Sequence, residues 1–194
     1  CVELAAFALA FAAWSYPGAG GYRRLPAVNV ACCGQAVGAD RQSWESLAGG
    51  DKSLMFALQA LHEEFRQAPL LGSLIDPQSR LSRFGLAAAQ WQEVAPLLER
   101  ALEGEDDYGR NEMAVAALGL AGAARILSLK YHLVTTNPPY LKSARQSEEL
   151  KRFCAKAYGH AKNDLATVFL LRCLGLCVPG GNVSIVLPQG WLFL

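Results

Sequence analysis

The sequence predicts an α/β fold, a partial parallel sheet interrupted by a large helical insertion. Three observations predict it. Short apolar runs at residues 27–33, 131–136 and 182–187 read as strands buried on both faces, the pattern of parallel sheets. Helical patterns separate the last two runs, and strand, helix and strand in that order call for a right-handed crossover. The first two runs are roughly 95 residues apart, far more than a crossover needs, so helical residues are inserted there.

The bulk numbers agree with one sizeable core. The chain has 194 residues, 52% of them hydrophobic and 18% charged, which excludes a disordered polar chain. Its formal net charge is +1. A binder of nucleic acid with that charge needs a local basic face or a further domain to hold the phosphates. The six cysteines (Cys1, Cys32, Cys33, Cys154, Cys173 and Cys177) match neither a CxxC pair nor a zinc spacing. They sit mostly in apolar stretches, where cysteine acts as a small buried hydrophobe. Free thiols, no metal and a reducing, cytoplasmic setting are the expectation.

Residues 2–14 are apolar on all sides and predict a packed helix. The run is short of the roughly 20 residues a membrane span needs, contains Glu3, and lacks a basic leader. No membrane partner is expected. Tyr16-Pro17-Gly18-Ala19-Gly20-Gly21 ends the helix, and the first strand follows, closed by Gly34. Helices are predicted near 51–67, 86–102 and 110–128. Asp40 or Ser43 caps the segment before the first, and Gly49-Gly50 breaks it. Asp76-Pro77 marks a turn, and Glu103 to Arg110 a charged link.

The second strand, Tyr131 to Thr136, leads into Asn137-Pro138-Pro139-Tyr140. A charged amphipathic helix at 144–158 and a more apolar one at 163–177 come next. Pro179-Gly180-Gly181 reads as a tight turn, Asn182 to Leu187 as a third strand, and Pro188-Gln189-Gly190 as its stop. The organisation is therefore 1–34 and 130–194 as parts of one core, with 35–129 inserted. The chain starts without methionine and ends mid-pattern at Trp191-Leu192-Phe193-Leu194, so a fragment of a longer protein is expected.

The chemistry lies in Asn137-Pro138-Pro139-Tyr140. In parallel sheets the ligand lies outside the carboxyl ends of the strands, which is where this segment falls. Methyl transfer to an exocyclic amine needs the nitrogen lone pair freed from ring conjugation. Two acceptors aimed at its N–H bonds do this by favouring tetrahedral nitrogen. Asn137 offers its side-chain carbonyl and Pro138 its backbone carbonyl. The paired prolines, Pro139 included, stiffen the loop and remove competing donors. Tyr140 offers a flat face for an extruded base, a contact worth about 1–3 kcal/mol.

Residues 131–141 resemble the strand and catalytic loop of N6-adenine DNA methyltransferases. Asp164-Leu165-Ala166-Thr167-Val168-Phe169 is similar to that family's next motif, and Pro179 to Leu192 to the strand and turn after it. The resemblance is greatest to the large restriction-modification and BREX phage-defence enzymes. It implies a Rossmann-like class I methyltransferase fold, S-adenosylmethionine as donor and double-stranded DNA as partner, alongside phage-defence or restriction subunits. It also implies Asn137, Pro138 and Tyr140 as catalytic, Pro139 in the base loop, and Cys32 and Gly34 beside the cofactor. The glycine-rich cofactor loop and acidic ribose ligand of that family are not among these 194 residues.

The other signals are weaker. Lys142, Arg145, Lys151, Arg152, Lys156 and Lys162 could meet phosphates, but Glu148, Glu149 and Asp164 interleave with them, so a solvated face competes. His132 reads as structural, Gly180-Gly181 as a turn and Trp191 as core; His62 and His160 have no partner pattern. Two rivals stand beside adenine methylation. One is a protein glutamine N5-methyltransferase, which uses the same loop on a side-chain amide. The other is an inactive methyltransferase-like scaffold or DNA-binding subunit.

Overall fold

The computed structural model describes residues 2–26, 28–78, 96 and 108–189. The predicted helix 86–102, most of the 103–110 link, Gly190 and Trp191 fall outside the described residues. The chain divides into two compact units, residues 1–127 and 128–194.

The first unit is helical. Helix α1 spans Val2–Ser15, α2 Arg41–Ser46, α3 Lys52–Phe65 and α4 Ala68–Leu71; a 3-10 turn follows at Gly72–Leu74 and α5 spans Tyr108–Ser128. Carboxylate caps set the starts of α2 and α3. Asp40 accepts the Ser43 N–H at 2.8 Å, and Asp51 accepts those of Ser53 and Leu54 at 2.8 and 3.1 Å. Gly49-Gly50 separate the two helices, as their composition predicts. Helix α3 buries Leu54, Leu58, Leu61 and Phe65, a stripe at helical spacing. Helix α5 buries Ala114, Ala117, Leu120, Ala121 and Ala124 on one face. Trp44 of α2 is 1% exposed and meets His62 of α3 edge-on at 5.8 Å. Helical backbone resumes at Pro77, directly after Asp76.

Two expectations for this unit change. Helix α1 forms but buries none of its residues: Leu4, Phe7, Leu9 and Phe11 are all more than half exposed. A helix apolar on every side has no single stripe to bury, and it packs only when surrounded. Among the described residues its end is held where the Trp14 ring meets Tyr22 at a tilt, 4.8 Å between centroids, and donates to the Arg23 carbonyl at 2.8 Å. Residues 28–33 are not a strand. No described strand pairs with them, and an apolar run without a ladder partner leaves its backbone groups unmet. Their backbone is irregular, and Arg125 of α5 donates to Asn29 Oδ1 at 2.6 Å.

The second unit is α/β. Strand β1, Tyr131–Thr136, is followed by a 3-10 turn at Ser143–Arg145, helix α6 (Glu148–Ala157), helix α7 (Leu165–Leu176) and strand β2 (Cys177–Ile185). The strands pair in parallel, with α7 packed on both, so the predicted crossover order holds. The strands are not buried on both faces: their residues alternate between half-buried and exposed, and Leu133 is 61% exposed. Among the described residues, α7 covers the two strands.

Pro179-Gly180-Gly181 is not a turn between helix and strand but an irregularity inside β2. Tyr131 pairs with Cys177 and Leu133 with Asn182, so two steps along β1 match five along β2. Gly180 sits at φ 80°, and a Cβ on Gly181 would stand 3.1 Å from the carbonyl oxygens of Tyr131, His132 and Val178. Glycine is what lets the extra residues fold back against β1.

Candidate active site at the carboxyl end of the sheet

The site is built from the loop that leaves β1. Thr136 ends the strand, and its carbonyl accepts the Val186 N–H at 3.2 Å, so β1 and β2 stop side by side. Asn137, Pro139 and Tyr140 are exposed and Pro138 is buried. Pro138 anchors against the protein while its neighbours face solvent. The Tyr140 hydroxyl lies 3.3 Å from Asn137 Oδ1 and 3.2 Å from the Val186 carbonyl oxygen. A phenol has one proton, so it donates to these two acceptors alternately or in a shared geometry. Both distances exceed the usual O–H···O value of about 2.7–2.8 Å, so neither bond is strong. Asn137 Oδ1 can therefore be released to another donor at low cost.

The far end of the loop is fixed more tightly. Leu141 and Ser143 are tied to the start of α7: Leu165 N donates to the Leu141 carbonyl at 3.0 Å, and Ser143 N to the Asn163 carbonyl at 2.9 Å. Lys142 and Asp164 form an isolated antiparallel bridge within this contact. Asp164 also caps α7 by accepting the Ala166 N–H at 3.0 Å. The run 164–169, singled out by sequence, thus holds the loop from behind. Gln146 was missed: its Nε2 donates to the Leu141 carbonyl at 2.9 Å, and it is 5% exposed. Its only signal in the sequence is a polar residue just before the Ser147 cap of α6.

The loop and the start of α7 meet in the second unit. Cys32 and Gly34 lie in the first, on irregular backbone, with Cys32 exposed and Cys33 half-buried. The strand expected over 27–33 and closed by Gly34 does not form among the described residues 28–33, so no strand end presents Cys32 and Gly34. A groove of about 650 Å³ in the first unit is lined by Gln35, Ala39, Trp44, Glu112 and Met113 among others; it gathers no catalytic set. No cluster of metal-ligating side chains exists among the described residues. No described helix is long and apolar enough to cross a membrane.

The basic residues after the loop are mostly exposed. Lys151 pairs with Glu148 at 2.6 Å, which holds the Glu148 carboxyl below its ordinary pKa, and Arg152 Nε donates to the Glu148 carbonyl. Lys142, Arg145, Lys156 and Lys162 are exposed. His132 is exposed on β1 and His160 lies beyond α6. His62 faces Ala39, 3.0 Å from its carbonyl, within the helical unit.

The profile of the Eco57I restriction-modification methylase matches residues 57–194. The chain is 31% identical over 150 residues to adenine-specific methyltransferase BrxX of Escherichia coli O9:H4 (strain HS), covering 77% of this chain and 12% of that protein. It is 33% identical over 75 residues to adenine-specific methyltransferase PglX of Lacticaseibacillus casei (strain Zhang), covering 39% of this chain and 6% of that protein. The chain thus spans about an eighth or less of these relatives. With a match across most of its residues, including the Asn-Pro-Pro-Tyr loop and the α/β unit behind it, the chain belongs to the Eco57I restriction-modification methylase family.

Proposed function

We propose that this chain carries the target-base side of a DNA adenine-N6 methyltransferase that acts in phage defence or restriction-modification. The reading takes S-adenosylmethionine as donor, double-stranded DNA as substrate and a Rossmann-like class I core. Residues 1–34 and 130–194 would be parts of that core, with 35–129 inserted. One observation supports it most. The loop that leaves β1 presents Asn137 and Tyr140 to solvent beside the end of β2, tethered there by a shared, weak phenol bond.

In this reading a flipped adenine displaces the Tyr140 hydroxyl from Asn137 Oδ1. The adenine N6–H bonds then go to Asn137 Oδ1 and the Pro138 carbonyl. The phenol keeps the Val186 carbonyl as its acceptor, so Tyr140 stays in place while its ring stacks on the base. Bound S-adenosylmethionine supplies the electrophilic methyl group. Asn137 and Pro138 hold the nitrogen lone pair in line with it, and rate comes chiefly from that positioning. The proton leaves after the nitrogen has become cationic, so no strongly tuned base is required. Cys32 and Gly34 are assigned to the cofactor side by resemblance alone.

The same pair of acceptors would suit a glutamine side-chain amide. Incubating the full-length protein with labelled S-adenosylmethionine separates the readings, using unmethylated duplex DNA in one arm and a release-factor substrate in the other. N6-methyladenine is the expected product. Methylated glutamine without methyladenine would overturn the proposal, and no transfer to either substrate would favour the scaffold reading.

A further inference from the structure

We propose that Gln146 is a positioning residue for the Asn-Pro-Pro-Tyr loop, acting through the Leu141 carbonyl. The proposal rests on the functional reading above, and goes beyond it by naming what fixes the loop. Gln146 sits between the Ser143–Arg145 turn and the Ser147 cap of α6, and is 5% exposed. Its Nε2 reaches the Leu141 carbonyl at 2.9 Å, one residue beyond Tyr140. That carbonyl also accepts the Leu165 N–H, so both its lone pairs are used. Leu141 is thereby clamped between α7 and the start of α6.

The cost of this arrangement points to purpose. Gln146 Oε1 is buried and has no hydrogen-bond partner among the described residues. An unmet buried acceptor costs about 1–3 kcal/mol, while a neutral hydrogen bond returns about 1 kcal/mol net. Stability alone would favour an apolar side chain here. What the amide adds is direction: it fixes the exit of a loop whose entrance is fixed by Pro138. The Tyr140 phenol bonds at 3.2–3.3 Å are too long to fix the loop between those points. With the clamp in place, Asn137 and Tyr140 keep a small set of orientations before any base arrives.

The test uses Gln146→Met, which keeps shape and removes both the donor and the unmet acceptor, and Gln146→Glu, which keeps shape and faces a carboxyl to the Leu141 carbonyl. Two quantities are read in the full-length protein: hydrogen exchange along 137–143, and kcat and KM for DNA methylation. Both variants should speed exchange of the loop about tenfold with helices α6 and α7 unchanged, a local rather than global opening. The kcat should fall about tenfold with KM within about twofold of wild type. Loop exchange unchanged from wild type, exchange raised throughout the unit, or faster loop exchange at unchanged kcat would each overturn the proposal. If the wild-type protein methylates glutamine rather than adenine, the functional reading fails, and kcat on that substrate together with loop exchange still decides the clamp.

Discussion

Asn137, Pro138 and Tyr140 are adjacent in sequence but differ in environment, and the difference matters. Pro138 is buried and its neighbours are exposed, so the loop has a fixed point and two free faces. On the proposed function, Asn137→Ala in the full-length protein should nearly abolish methyl transfer while cofactor binding, followed by calorimetry, stays near wild type. Tyr140→Ala should cost roughly one to two decades in kcat, at about 1.4 kcal/mol per decade. Wild-type turnover in Asn137→Ala would remove the role given to it. The thiols make a second residue-level prediction. Burial raises the pKa of Cys154 and Cys173, and of Cys33 despite a backbone hydrogen bond that lowers it. The thiolate is the reactive form, so an alkylating reagent at neutral pH should modify exposed Cys32 first and Cys154 and Cys173 last, as mass spectrometry would show.

At the scale of elements, β2 shows where local sequence and pairing disagree. Pro179-Gly180-Gly181 has turn composition and would be a turn in isolation. Paired with β1, it becomes extra length folded into the strand. Gly181→Ala would push a methyl to 3.1 Å from three carbonyl oxygens, and should destabilise the second unit by about 1–3 kcal/mol in denaturant melts. An unchanged midpoint would mean the strand takes up the methyl freely. Helices α3 and α5 were legible because their buried stripes recur at helical spacing, whereas the Asp51 cap of α3 was not read from the sequence. Residues 28–33 were misread because apolar character alone does not distinguish a strand from irregular backbone.

For the molecule as a whole, charge and burial set a pH window. Asp40, through its bonds to Ser43, and Glu148, through Lys151, both have carboxyl pKa values below their ordinary ones. A depressed carboxyl stabilises the fold above its unfolded pKa, and that contribution is lost as pH falls through the folded value. The loss therefore comes below about pH 4. The raised thiols act at the other end. Above about pH 8.5 the unfolded chain gives up thiol protons that the folded chain keeps, and stability falls as pH rises. Thermal melts from pH 3 to 10 should show a plateau between about 4 and 8.5. A maximum outside that interval would contradict it.

The sequence by itself determined the Asn-Pro-Pro-Tyr loop, its place after β1, the helix–strand order behind it, and in the first unit the Asp40 cap and the spans of α3 and α5. These are local patterns, and each carries its own physical cause: ring-fixed φ, side-chain capping, helical spacing. The tertiary structure decided what depends on partners distant in the chain. It left 28–33 as irregular backbone rather than a strand, left α1 without cover among the described residues, and drew Pro179-Gly180-Gly181 into β2. It also brought Gln146 and Val186 to the loop. No spacing rule forecasts those two contacts, because a hydrogen bond to a backbone carbonyl leaves no trace in the identity of the residue that accepts it.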